Sequence, residues 1–146
     1  IASLVGSEMC IRDRLMINYF SKYKFIFYLC NFILIILYLF PGSLLGCYIY
    51  NDCKIQPQIT ANYIVSTNHL YAYLILSIIG FLTYRKNNQF NFLNIYLIFL
   101  SIVLEVLQYF VPNRSFEFSD LFGNLAGVII AIIIFYFFKK NENFKN

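Results

Sequence analysis

The stretch LEVLQYFVPNRSFEFSDLFGNLAGVIIAI, residues 104–132, decides how the chain is read. It is the end of one apolar run and the start of another, joined by a short polar connection in which Pro112 stops the first run. Glu105, Gln108 and Asn124 stand inside the apolar runs, where ionisable and amide groups are costly unless they have partners. The composition says which solvent surrounds these runs. Of 146 residues 60% are hydrophobic and 12% charged, about half the charged share of a soluble domain. That excludes an ordinary soluble enzyme, and so short a chain leaves no room for a catalytic domain beside a membrane anchor. A net charge of +4, scattered along the chain, makes no basic face or groove, so no nucleic-acid partner is expected.

Four apolar spans are expected, at about residues 25–45, 66–84, 92–111 and 121–138. At 1.5 Å per residue each roughly matches a hydrocarbon core of about 30 Å. The first is read as one continuous span running through Pro41 and Gly42 into Leu44, Leu45 and Tyr48. None has a clean amphipathic stripe, as expected where lipid surrounds the bundle. A soluble bundle of such helices would have almost nothing on its surface to hydrate. The expected fold is therefore all-α: a polytopic bundle of four transmembrane helices.

Lys22, Lys24, Arg85, Lys86, Lys139, Lys140 and Lys145 fall on one side of these spans, and only Lys54 and Arg114 on the other. By the positive-inside rule both termini are cytoplasmic, and the connections at 41–65 and 112–120 face outward. The localisation expected is a bacterial cytoplasmic membrane, crossed several times. Residues 1–15 differ in composition from the rest, and SLVGSEMCIRDR, residues 3–14, resembles translated sequencing-adaptor read-through. They are expected to be a non-native leader, with Met16 opening the domain at 16–146.

Of four cysteines, Cys10 lies in that leader and Cys30 inside the first span, where a lone thiol serves as a small apolar side chain. Cys47 and Cys53 share the outward connection and could pair in an oxidising compartment, or stand there by chance. Two cysteines without nearby His ligands do not make a zinc site, and the expectation is no metal and no cofactor.

The informative residues are polar ones at membrane depth. Glu105 lies six residues before Val111, roughly 9 Å below the outer edge of the core, with Gln108 at i+3 on the same face. Asp120, Asn124 and Gly127 fall on one face of the last span, His69 opens the second span, and Arg114 sits in the loop above them. Each has a plain structural reading. Asp120 suits a helix N-terminus with Ser119 as cap, Asn124 and Gln108 suit interhelical hydrogen bonds, Gly123 and Gly127 a close-packing face, and His69 a solvated position. Glu105 fits such a reading least, because a buried carboxylate takes up a proton or needs a cation such as Arg114. The expectation is one outer-leaflet polar pocket of His69, Glu105, Gln108, Arg114, Asp120 and Asn124.

The same residues carry a resemblance. Glu105, Gln108, Pro112, Arg114, Asp120, Asn124 and Gly127 look like the hallmark pattern of VanZ-like membrane proteins. NHLYAYLILSIIGF, residues 68–81, resembles the family's second span, which puts His69 on the family histidine and Tyr73 on its aromatic neighbour. The family usually shows Asp-Lys shortly before that histidine, whereas this chain has Val65-Ser66. The resemblance covers about residues 25–138 and implies a small polytopic bacterial protein, whose named member is associated with low-level resistance to the lipoglycopeptide teicoplanin. The first functional expectation is a non-enzymatic envelope protein whose pocket takes a membrane lipid head group, a lipid-linked wall intermediate or a lipoglycopeptide. The second is a membrane enzyme on such a lipid, with His69 or Glu105 as base and Arg114 and Asn124 stabilising charge, although no nucleophile is evident. The third is a small proton-coupled transporter built around Glu105.

Overall fold

The computed structural model describes residues 24–61, 64–84 and 89–143, with side chains to residue 138. The expected leader, Met16, Lys22 and the Arg85–Lys86 turn lie outside the described residues, as do the side chains of Lys139, Lys140 and Lys145. Among the described residues five helices follow one another: α1 (Lys24–Leu39), α2 (Leu44–Tyr50), α3 (Thr67–Thr83), α4 (Gln89–Gln108) and α5 (Phe118–Asn143). Among the described residues there is no strand.

The first apolar run does not continue as one helix. α1 and α2 are bent by 79° at a short break, so the span expected at 25–45 ends at Leu39 as a straight element. The cause is local. Pro41 disfavours helical geometry on Phe40, and Gly42 takes a left-handed φ of 81° that a side chain would resist. Ser43 then caps α2, its side chain accepting from the Gly46 N–H at 3.0 Å. α2 ends at Asn51, itself left-handed at φ 52°, and the chain doubles back so that the Ser43 N–H donates to Cys53 O at 2.7 Å. Cys47 and Cys53 are joined by a disulfide across this return.

The long helices assemble because each carries one inward stripe. On α4 the buried residues are Leu93, Leu97, Leu100, Leu104 and then Gln108, with Ser101 and Glu105 beside them, a seam of spacing three and four. α1 contributes Phe27, Leu34 and Tyr38, α3 His69, Tyr73 and Leu76, and α5 Asn124, Val128 and Ala131. α3 and α5 pack closely. A Cβ on Gly123 would stand 2.5 Å from Ser66 O and one on Gly127 2.5 Å from Leu70 O, so these positions bring backbone against backbone. The Ser66 N–H also donates to Ser119 O, tying the starts of the two helices together.

The bundle has two unlike ends. One is aromatic: Phe81, Phe90 and Phe135 pack ring to ring at centroid distances of 5.0 to 5.5 Å. At the other end every stripe turns polar, at Tyr38 late in α1, His69 early in α3, Glu105 and Gln108 late in α4, and Asn124 early in α5. Late, early, late, early is the mark of helices running alternately up and down. On the outside Phe32, Ile95, Phe99, Ile129, Ile133 and Phe137 are exposed, a surface suited to lipid. α4 and the Phe118–Phe138 part of α5 are long and apolar enough to cross a membrane, and α1 with α2 makes a third span if the bent pair is counted as one; α3 has 17 residues.

Gly127→Ala should cost about 1–3 kcal/mol through overpacking against the α3 backbone. Thermal unfolding in detergent should show the drop, whereas Ile133→Ala on the outer face should change little.

Candidate functional site

Glu105 is the residue to account for, since none of its surface is exposed and it stands one turn from the end of an apolar helix. Its Oε1 accepts from the Glu117 backbone N–H at 3.2 Å, a donor supplied by the turn that opens α5. Its Oε2 accepts from Asn124 Nδ2 at 3.5 Å and lies 3.9 Å from His69 Nδ1. Asn124, also fully buried, turns its other face to Tyr38 and His69: Tyr38 OH donates to Asn124 Oδ1 at 2.6 Å, and His69 Nδ1 lies 3.2 Å from the same oxygen. Tyr38 OH and His69 Nδ1 are 2.9 Å apart. The far side of the imidazole faces Asp120, with Nε2 and Oδ2 at 3.3 Å. Four helices thus contribute Tyr38, His69, Glu105, and Asn124 with Asp120, to one connected layer.

Arg114 does not pair with Glu105. It makes no ion pair among the described residues; its Nη2 donates to Leu37 O at 3.3 Å and its Nη1 to Gln56 Oε1 at 3.5 Å. The reason is the break after α1, which leaves the last carbonyls of that helix without partners. Arg114 takes the carbonyl of Leu37, and Gln108 takes that of Tyr38 at 3.4 Å. Burial pulls the Arg114 guanidinium below its usual range, while Asp120, Tyr38 and Glu105 pull it back. Its Nε is buried and has no partner.

Two more expectations change. His69 is 4% exposed, which removes its reading as a solvated position. α5 begins at Phe118, so Ser119 lies inside the first turn, its hydroxyl donating toward Glu117 and Asp120, and does not cap the helix. The sequence shows no metal cluster, yet the fold brings one ligand atom each from His69, Glu105 and Asp120 within 4.8 Å of one another. Sequence reading also missed Tyr38 and Glu117. Tyr38 falls on the Phe27–Leu34 stripe three residues before the Pro41 break, the one available signal, and its ring also meets Tyr73 edge to face at 5.9 Å.

Above the layer are two adjoining hollows. One of about 140 Å³ is polar and lined by Ser43, Gln56, Gln108, Arg114, Glu117 and Asp120. The other, of about 450 Å³, is mostly apolar, with Leu37, Leu45, Ile49, Ile59, Ala72 and Ile75 in its wall. Ser43, Gln56, Gln108 and Arg114 line both. The outer wall of the apolar hollow is held by Asn68, which donates to Pro57 O at 2.6 Å and accepts from the Ile59 N–H at 3.0 Å.

Residues 14–139 match the family model described as VanZ/LLP1. The chain belongs to the VanZ/LLP1 family. Neither the curated proteins nor the solved structures give a match. With its apolar helices, the family assignment makes this a membrane protein of the VanZ type. The VanZ-type residues of the sequence motif divide into two groups: Glu105, Asp120 and Asn124 enter the buried layer with His69, while Gln108 and Arg114 hold the broken end of α1.

Asn124→Leu removes the hydrogen-bond partner that Tyr38, His69 and Glu105 share, so stability should fall by about 1–3 kcal/mol for each group left unpaired. Tyr38→Phe alone should cost about 1 kcal/mol. A thermal-unfolding cycle with both changes should be non-additive by at least about 0.5 kcal/mol.

Proposed function

We propose that this VanZ-type chain crosses a bacterial cytoplasmic membrane four times, with both termini inside, and holds an anionic amphiphile at its outward polar end. The observation that carries the reading is the pair of hollows that meet at Arg114. The polar chamber suits a phosphate, carboxylate or sugar head group, and the larger apolar chamber suits an acyl, prenyl or lipoglycopeptide tail. Arg114 has one Nη on a carbonyl, the other on an exposed amide contact, and a free Nε, so its fork can be re-aimed at an anion. The charge asymmetry of the connections supports the orientation. The envelope role then amounts to sequestering a lipid, a lipid-linked wall intermediate or a lipoglycopeptide.

A membrane enzyme is the second reading, favoured by the Asp120–His69–Tyr38 chain, which could move a proton at the chamber floor. Among the described residues no Ser or Cys hydrogen-bonds to the His69 ring, whose hydroxyl partner is Tyr38.

Two experiments test this. Reporter fusions should place Asn88 in the cytoplasm and Asn113 outside; a cytoplasmic signal at Asn113 overturns the orientation. Mass spectrometry of lipids retained through gentle purification should find an anionic amphiphile on the wild-type protein, and Arg114→Gln should retain roughly tenfold less, about 1.4 kcal/mol. Equal retention by the two proteins would remove Arg114 from the reading, and turnover of the retained lipid would favour the enzyme.

A further inference from the structure

Asn124 donates its amide to Glu105, which points its oxygen at Tyr38 and His69. Tyr38 has a single proton, given to that oxygen. The contacts of His69 Nδ1 with Tyr38 OH and Asn124 Oδ1 are then both contacts to acceptors, so Nδ1 carries the hydrogen. A neutral imidazole with its hydrogen on Nδ1 presents the Nε2 lone pair to Asp120 Oδ2, 3.3 Å away. Two lone pairs facing at that distance repel, unless a proton or a metal ion lies between them.

Glu105 and Asp120 bring two carboxylates to His69, and Arg114 forms no ion pair with either. A divalent cation balances both and also accepts the Nε2 lone pair. The donor set fits, since one imidazole and two carboxylates from three helices suit a first-row divalent ion. The outer shell fits as well: a ligating histidine donates its other N–H to an oxygen, here Asn124 and Tyr38, and ligating carboxylates are themselves hydrogen-bonded, as Glu105 is by Asn124 and the Glu117 N–H.

We propose that His69 Nε2, Glu105 and Asp120 bind one first-row divalent cation at the floor of the polar chamber. Asp120 lines that chamber, so the remaining coordination positions open toward it and can take water or an anionic oxygen. The site goes beyond the amphiphile reading and stands whether or not such a molecule binds.

The test uses the full untagged chain in detergent, stripped with a chelator and titrated with Mn2+, a hard ion that free thiols such as Cys30 bind weakly. About one equivalent should bind, and pulsed EPR should detect nitrogen coupling to the bound ion. The chain has one histidine, so an imidazole signal reports His69 without any mutation. Glu105→Gln and Asp120→Asn should each weaken binding at least about tenfold, and Tyr38→Phe, which alters only the outer shell, by roughly tenfold. Absence of stoichiometric binding, binding without nitrogen coupling, or unchanged affinity in both carboxylate variants would overturn the proposal. An NMR signature of doubly protonated His69 that persists at saturating Mn2+ would also overturn it, in favour of a plain ion pair.

Discussion

A carboxylate with no exposed surface at the end of an apolar bundle is the constraint from which the rest follows. Glu105 cannot be covered by hydrocarbon, so each neighbouring helix must end or begin with a group that meets it directly or through one intermediary. Asn124 is that intermediary. It bonds Glu105 with one face of its amide and Tyr38 and His69 with the other, so one side chain links α1, α3, α4 and α5. The glycines at 123 and 127 serve the same end by packing α5 backbone on α3 backbone, which brings His69 and Asn124 into contact.

A second constraint meets the first at Arg114. Helices that stop short leave carbonyls unpaired, and α1 stops where Pro41 and Gly42 turn the chain. The carbonyls of Leu37 and Tyr38 are taken by Arg114 and Gln108, side chains from the α4–α5 turn and the end of α4. The motif that looks like one cluster along the sequence therefore does two jobs. Its acidic and amide members inside the bundle build the layer, and the two at its rim repair a helix end.

How much of this the sequence discloses depends on what kind of information each residue carries. His69, Glu105, Asp120 and Asn124 are legible because polar side chains in apolar runs are scarce, and helical spacing assigns each a face and a depth. Tyr38 is hidden because it is one of 13 tyrosines in a chain rich in aromatics, and nothing marks it as a hydrogen-bond centre until its neighbours are in place. Arg114 is legible as important and illegible in role: a loop cation goes to the strongest unmet acceptor within reach, which was fixed by where a different helix ended. Hydropathy missed the break at 40–43 because apolarity is indifferent to φ and ψ. Pro41, Gly42 and Ser43 carried the backbone signal, and the continuous apolar character of the run overrode it.

That break is also what makes an amphiphile site conceivable here. A straight helix continuing through residue 45 would carry Leu44 and Leu45 away from the bundle and leave the polar layer open above. Bent by 79°, α2 lies across the end, its Leu45 and Ile49 facing the apolar hollow while Ser43 and the returning Cys53 segment wall the polar one. The disulfide and the Ser43–Cys53 backbone bond hold the return segment to α2. In the proposed function selectivity for a head group then resides in Arg114 and the layer below it, while tolerance for tails resides in the apolar wall. Charge at the head should therefore matter more to binding than the length of the chain behind it, because a charge-assisted hydrogen bond from Arg114 is directional and hydrocarbon burial is not.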